Sequence, residues 1–167
     1  FLMIRRPPRS TLILTLFPYT TLFRPDAIFA ADPWLRVEAH RDHWEAGSIA
    51  AEATILSGIA KLASSDAAID ALWRAAKPND ARAVAFFYTD EPTTFSPIDA
   101  TWERKVAAVS EYHAQFTDEE LPQLVKTLDA KAQLVARVGV EAGLLPVGTK
   151  RAEPLKVIDP RALHGAR

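Results

Sequence analysis

One amphipathic stretch constrains the fold of this chain more than any other feature of its sequence. Thr117 and Glu120 have the spacing of a capping box, in which side chains satisfy backbone N–H groups at the start of a helix. The residues that follow repeat apolar side chains at helical spacing, and Gly143 is typical of a helix end. We therefore predict that the longest helix of the chain starts at this capping box and reaches about Glu141, with one face buried. That face comprises Leu121, Leu124, Val125, Leu128, Ala132, Val135 and Gly139.

Helix signals also dominate the rest of the sequence, where glycine is scarce and alanine is common. The best strand candidate is Ala27–Ala31, which ends where Asp32 precedes a proline. We therefore predict a mainly α fold, a compact bundle of five or six helices with at most one short strand. The alternative is an α-rich C-terminal fragment of a two-lobed α/β protein. The remaining predicted helices cover 48–63, 66–77, 80–88 and 96–115, with 35–47 either helix or polar loop.

The first 24 residues differ from the rest of the chain. Arginines and prolines crowd residues 5–9, and threonine and proline interrupt the apolar run behind them, unlike the unbroken apolar core of a secretory signal. The segments FLMIRRPPRSTL and FPYTTLFR resemble the translation of a sequencing adapter. We therefore expect 1–24 to be a non-native leader, the alternative being a genuine basic leader. A helical domain over 25–145 and a C-terminal tail over 146–167 would then follow.

Charge, hydropathy and cysteine content exclude several function classes. The net charge is −1 with both signs interspersed, so the basic face of a nucleic-acid-binding protein is not evident. No apolar run reaches the roughly 20 residues of a transmembrane helix, and direct membrane insertion is not expected. The chain contains no cysteine, which removes disulfides, thiolate zinc sites and cysteine nucleophiles. GxSxG, GxGxxG and Walker sequences are also missing, and we predict no cofactor.

Two polar residues fall on helix faces that the pattern predicts to be buried. Glu52 lies seven residues before Ile59, in the apolar stripe of the 48–63 helix, and His113 lies among the apolar residues of the 96–115 helix. A buried charged group is costly unless it is paired. We therefore predict that Glu52 and His113 contact each other or line a shared polar cavity. They form either a structural hydrogen bond or a ligand or proton-transfer site, and no catalytic residue is assigned.

A second polar cluster is the run EAHRDHWE over 38–45. His40 and His43 could share one helix face and bind a metal ion. Their spacing differs from HExxH and no third ligand is evident, so a solvated charged face is preferred and no metal site is assigned. Trp34 follows the predicted strand at a turn, a position that often carries binding residues. The predicted ligand-binding residues are Trp34, Glu52 and His113.

Three stretches of the sequence are similar to a known family: DAIFAADPWL (26–35), SSDAAIDALWRAAKP (64–78), and EAGLLP with VIDPRAL (141–146 and 157–163). They resemble parts of periplasmic substrate-binding proteins of sulfonate, taurine and pyrimidine-precursor transporters. The resemblance implies the C-terminal portion of an extracytoplasmic solute-binding protein, which would deliver a small molecule to a membrane ABC importer. On this interpretation the chain is periplasmic and is not an enzyme.

Two alternatives to a binding module stay open from the sequence. The first is an all-α cytoplasmic enzyme or regulatory domain that uses Glu52 and His113 as its site. The second is a helical interaction protein without chemistry. The compartment is periplasmic under the resemblance and cytoplasmic otherwise.

Overall fold

The computed structural model describes residues 24–59, 66–75, 79 and 81–164. The predicted non-native leader therefore lies outside the described residues, apart from Arg24. Single-turn 3-10 helices at Asp99–Thr101 and Pro160–His164 accompany the longer elements. In chain order these are β1 (Ala27–Ala31), α1 (Arg41–Ser57), α2 (Ala67–Ala75), β2 (Ala83–Phe87), β3 (Thr94–Pro97), α3 (Trp102–Ser110), α4 (Leu121–Glu141) and β4 (Ala152–Ile158).

The four strands form a mixed sheet in the order β1-β2-β4-β3, so the prediction of a mainly α bundle with at most one strand is wrong. β1 and β2 are parallel, and β4 is antiparallel to both β2 and β3. The sequence over 80–88 suggests a helix because a strand buried on both faces is a continuous apolar run without alternation. β2 is such a strand, since Val84, Ala85 and Phe86 are all buried.

β4 lies within the segment predicted to be a C-terminal tail. Its strand structure depends on partners that are distant in sequence: Lys156 is paired with Phe86 of β2, and Leu155 with Thr94 of β3. The local sequence contains a proline and scattered charges, which do not by themselves indicate a strand. Long-range pairing therefore determines the structure of this segment.

The first of two compact units contains the described residues up to Asp90 and from Lys156 onward. Small side chains let α1 approach the sheet closely: a Cβ on Gly47 would lie only 2.2 Å from the carbonyl oxygen of Ala31. α1 is thereby held against the carboxyl end of β1, which positions the loop between them. The core of this unit comprises Ala30, Ala50, Ala51, Val84 and Phe86.

The second unit, Glu91–Leu155, contains the long helix predicted from the capping box. α4 spans Leu121–Glu141, so its end agrees with the prediction, but it begins three residues after the start predicted from Thr117 and its N-cap, Glu120, makes no side-chain capping bond. Only half of the predicted box forms: Glu120 Oε2 accepts a hydrogen bond from the backbone N–H of Thr117 at 2.9 Å. Gly143 follows the helix with a φ of +70°, the left-handed conformation expected at a helix end. The buried residues that pack α4 against the rest of this unit include Ile98, Trp102, Ala132, Ala136, Leu145 and Ala152.

Two further helix starts also differ from the sequence prediction. The helix expected over 48–63 begins earlier, at Arg41, and Gly58 follows its last residue instead of lying inside it. Ser96 and Pro97, which have the pattern of a helix start, instead end β3, where they pair with β4. Proline is tolerated there because it commonly occupies strand ends and sheet edges.

Candidate functional site

The candidate site lies at the carboxyl ends of the two parallel strands. After β1 ends at Ala31, residues 32–40 form the loop that leads into α1, and β2 is followed directly by Tyr88. The backbone N–H of Asp32 donates to the carbonyl of Phe87 at 2.9 Å, which keeps the two strand ends side by side. In open α/β sheets, ligands bind beyond the carboxyl ends of the parallel strands. A ligand-binding site is therefore expected at this edge of the sheet, beyond the carboxyl ends of β1 and β2.

Glu38, His40 and His43 form a hydrogen-bonded group here, called the Glu38–His43 cluster below. Glu38 Oε2 lies 2.8 Å from Nδ1 of His43, and its Oε1 accepts a hydrogen bond from the backbone N–H of His40 at 2.6 Å. The two imidazole rings stack with their centroids 4.6 Å apart. The carboxylate of Glu38 thus orients both the side chain of His43 and the backbone of His40, the residue that precedes α1.

The charge of Glu38 determines which nitrogen of His43 is protonated. Hydrogen bonds from His43 and His40 hold the pKa of Glu38 below its ordinary value of 4.5, so this carboxylate is ionised at neutral pH. An ionised carboxylate only accepts hydrogen bonds, and therefore Nδ1 of His43 is the donor. In a neutral imidazole the lone pair then lies on Nε2, which can accept a proton or bind a metal ion.

An aromatic residue from the end of β2 packs beside His43. The ring centroids of His43 and Tyr88 are 5.9 Å apart, and Phe87 contacts Tyr88 edge-on at 5.1 Å. Tyr88 has a φ of +56°, a left-handed conformation that is rare for a residue with a large side chain. Such strain is common at functional sites, where the surrounding structure enforces it. Tyr88 therefore forms a fixed, exposed wall next to His43.

A second group at this edge is called the Trp34 platform and comprises Asp32, Trp34 and Lys156. Asp32 is 2% exposed, and its Oδ1 accepts a hydrogen bond from the backbone N–H of Trp34 at 2.9 Å. Its Oδ2 lies 3.9 Å from Nζ of Lys156, which in turn lies 5.4 Å from the centre of the Trp34 ring. The ring of Phe86 packs nearly perpendicular to the same indole, with centroids 5.3 Å apart. Trp34 is nevertheless 51% exposed.

Of the residues singled out from sequence, Trp34, His40 and His43 all lie at this edge. His40 and His43 do not share a helix face, because α1 begins at the residue after His40. Within the described part of the chain, no group of three or more histidine, aspartate or glutamate side chains is placed to hold a metal ion. His40 and His43 therefore place two imidazoles at this edge of the sheet, but the described residues do not complete a set of metal ligands.

The two other candidates lie in different units. Glu52 is half-buried on α1 in the first unit, and His113 lies in a turn of the second unit. The prediction that His113 is buried is wrong: its side chain is 66% exposed and lies 3.8 Å from Asp118. The reason is that α3 ends at Ser110, so the helical periodicity does not extend to position 113.

Sequence reasoning missed the roles of four other residues at this edge. Glu38 is visible in the charged run, but a pattern of charges does not show that its carboxylate turns back onto His43. Asp32 marks the end of a strand in the sequence, and nothing local indicates that it is buried. Tyr88 and Lys156 carry no sequence signal, since their positions depend on strand pairing.

The structure thus defines an α/β protein with a candidate site beyond its parallel strands. The chain is 34% identical over 96 residues to the diacetylchitobiose deacetylase of Thermococcus kodakarensis, a match that covers 58% of this chain and 34% of that protein. It also resembles the solved N,N'-diacetylchitobiose deacetylase from Pyrococcus horikoshii, with a TM-score of 0.73 and 24% identity over 92% of this chain and 52% of that one. No family model matches the sequence.

Two further solved structures share the fold. The 4-carboxy-2-hydroxymuconate hydratase of Pseudomonas putida has a TM-score of 0.67 at 18% identity, over 96% of this chain and 62% of that one. A conserved protein of Thermus thermophilus has a TM-score of 0.66 at 23% identity, over 90% of this chain and 59% of that one. The chain spans about a third of the length of the curated relative and about half of the solved deacetylase.

These comparisons correct the resemblance to periplasmic substrate-binding proteins. The matched relative and the solved deacetylase are not transport proteins, so the interpretation as an ABC-importer binding module, with a transporter as partner, is wrong. The expectation that the chain is not an enzyme is contradicted by the same matches. The inference of a periplasmic location depended on that resemblance and loses its support. The short stretches misled because a strand followed by an Asp-Pro turn is common to many α/β folds.

The described helices include none that is long and apolar enough to cross a bilayer.

Proposed function

We propose that this chain is a deacetylase that hydrolyses the N-acetyl group of a small amino sugar. The identity to a diacetylchitobiose deacetylase and the shared fold support this reaction class. The observation that carries the proposal is the hydrogen bond between Glu38 and His43, because it leaves the lone pair of His43 on the nitrogen opposite the carboxylate. Of the interpretations left open by the sequence, the enzyme alternative is retained, with its centre moved from Glu52 and His113 to this pair.

Amide hydrolysis requires a water molecule to lose a proton as its oxygen attacks the acetyl carbon. In this proposal Nε2 of His43 accepts that proton, and the ionised Glu38 stabilises the imidazolium that forms. The imidazolium then gives the proton to the amine nitrogen as the C–N bond breaks. Acetic acid and the free amine leave, and His43 is neutral again. The contacts of His43 with the rings of His40 and Tyr88 restrict its orientation during these steps.

As an alternative role, His43 would hold a metal ion, which would supply activation of water when bound. An imidazole that donates its other N–H to a carboxylate is a common metal-ligand arrangement, and His40 adds a second imidazole nearby. Catalytic zinc sites use three protein ligands, and the described residues do not bring such a set together. Dialysis against a chelator distinguishes the two forms. Unchanged activity supports proton abstraction by His43, and a loss that zinc restores supports a metal ion held by His43.

The proposal is tested by measuring acetate and free amine released from N,N'-diacetylchitobiose by the purified chain. We expect the wild type to be active and His43→Gln to lower kcat by about 10²- to 10⁴-fold, the usual contribution of a positioned acid–base group. His113→Gln is the matched control, because His113 is an exposed histidine of the other unit. An inactive wild type, or equal losses in the two variants, would contradict the proposal.

A further inference from the structure

We propose that Trp34 determines substrate specificity by stacking its indole on the less polar face of the substrate's sugar ring. Asp32 and Lys156 are positioning residues, which hold the indole without contacting the sugar. The inference rests on the proposed deacetylase function and adds to it a binding residue outside the Glu38–His43 cluster.

The indole of Trp34 is fixed in position by contacts within the protein. The backbone N–H of Trp34 donates to Oδ1 of Asp32, its ring is nearly perpendicular to that of Phe86, and the ammonium of Lys156 lies over the indole. Oδ2 of Asp32 is buried and has no hydrogen-bond partner among the described residues, so the nearby Lys156 is the cation that compensates its charge. A buried carboxylate needs such compensation. The pair therefore holds the loop and the ring together.

A fixed and half-exposed indole is suited to ligand binding. Trp102, by comparison, is 5% exposed and contributes to the core of the second unit, whereas Trp34 is 51% exposed. A ring that is already held in one orientation loses little conformational freedom when a ligand binds, so more of the contact energy appears as affinity. Pyranose rings present C–H groups on one face and hydroxyls at the rim, which match an aromatic surface with a polar edge.

The platform also lies close to the group that is proposed to activate water. Trp34 packs on Phe86, and His43 packs on Tyr88. Phe86 and Tyr88 are two residues apart, roughly 7 Å along an extended chain. A sugar stacked on Trp34 can therefore direct an acetamido substituent of the same ring toward His43.

The test compares two substrates that share the acetamide but differ in the sugar. N,N'-diacetylchitobiose carries pyranose rings, and N-acetylethanolamine carries none. We expect Trp34→Ala to raise the KM for the disaccharide by roughly tenfold, with its kcat and the hydrolysis of N-acetylethanolamine unchanged. Trp34→Tyr should restore most of the KM, because it retains an aromatic face. Tyr112→Ala, which removes an exposed aromatic of the other unit, should change neither substrate.

The positioning role of Asp32 is tested by Asp32→Asn. This variant keeps an acceptor for the N–H of Trp34 but removes the charge that faces Lys156. We expect the same selective rise in KM for the disaccharide, with a smaller magnitude than in Trp34→Ala. An equal loss on both substrates would instead indicate a general structural role and would overturn the positioning assignment.

Direct binding separates this inference from the proposed function. Chitobiose, the fully deacetylated disaccharide, is titrated into the wild type and Trp34→Ala by calorimetry. If the wild type binds chitobiose and Trp34→Ala does not, the stacking role is supported. This conclusion holds even if no substrate is hydrolysed, because the lack of hydrolysis refutes only the deacetylase activity. A wild type that does not bind chitobiose, or a Trp34→Ala variant that binds it equally well, overturns the stacking role whatever the activity.

Discussion

Replacing Gly47 by alanine should destabilise the first unit, because α1 approaches β1 too closely at this position for a side chain. The added Cβ would lie 2.2 Å from the carbonyl oxygen of Ala31 and 2.9 Å from Cδ of Pro33, whereas real Cβ contacts essentially never fall under 3.0 Å. Neither neighbour can swing aside, since one is strand backbone and the other a proline ring. The helix must therefore move away by about 0.8 Å, the difference between 2.2 and 3.0 Å.

The size of the effect follows from two opposing contributions. Overpacking of this kind costs about 1–3 kcal/mol, and a clash with backbone belongs at the upper end of that range. Alanine is a better helix former than glycine by about 1 kcal/mol, which offsets part of the loss. We therefore expect the free energy of unfolding to fall by about 2 kcal/mol. Urea denaturation followed by tryptophan fluorescence and far-ultraviolet circular dichroism measures this change.

Two other helix-associated glycines provide matched controls. Among the residues that the structure describes, none would lie closer than 3.7 Å to a Cβ on Gly58, and its φ of −83° suits any residue, so Gly58→Ala should be neutral or slightly stabilising. A Cβ on Gly139 would meet Cδ1 of Leu145 at 2.6 Å, the flexible end of a side chain, so Gly139→Ala should fall between the two. The reasoning is refuted if Gly47→Ala is as stable as Gly58→Ala.

Two further predictions concern charged groups. Glu38→Gln replaces a charged group that can only accept by a neutral amide that can also donate, so Nδ1 of His43 is no longer held as the donor and the imidazolium loses its counter-charge. We expect kcat for diacetylchitobiose to fall by about 10- to 100-fold at nearly constant KM; steady-state kinetics check this against the exposed Glu111→Gln, and equal kinetics in both would contradict it. Hydrogen bonds from the backbone and side chain of Thr117 lower the pKa of Glu120. Its contribution to stability is therefore present above the ordinary value of 4.5 and is lost as the pH falls through the lowered pKa. Thermal unfolding from pH 7 to pH 3 should show the difference between wild type and Glu120→Ala shrinking in acid, and a constant difference would argue against a stabilising role of the Thr117–Glu120 hydrogen bonds.

The elements that could be predicted are those whose signals are local. The end of α4 is one of them, because Gly143 marks it within one turn, whereas its start lies three residues after the position that the Thr117 capping box predicts. β1 also agrees, because the Asp32-Pro33 turn marks its end. β2 and β4 could not be predicted in this way. β2 is an apolar run without a period, and β4 acquires its structure from partners far away in sequence.

The candidate site was only partly visible for the same reason. The run containing Glu38, His40 and His43 stands out by composition, and Trp34 stands out by its place after a strand. Whether these side chains point into solvent or contact one another depends on the path of the loop over residues 32–40. The close packing of Gly47 against Ala31 helps to determine that path. The periodicity argument failed at His113, since it assumed a helix that continues past Ser110.

The pairing of β4 with β2 has a consequence for the order in which the protein forms. Lys156 approaches Asp32 and the Trp34 ring only when β4 is in the sheet. During synthesis, β1, α1 and β2 leave the ribosome long before residues 156–158 do. The nascent chain therefore contains the parallel pair β1–β2 before β4, the strand that pairs with β2, has been made. The pairing of β4 with β2 brings together segments about 70 residues apart, which is slow compared with local helix formation. The Trp34 platform is therefore among the last parts of the first unit to be completed, and a chain stalled before β4 would carry the Glu38–His43 sequence without it.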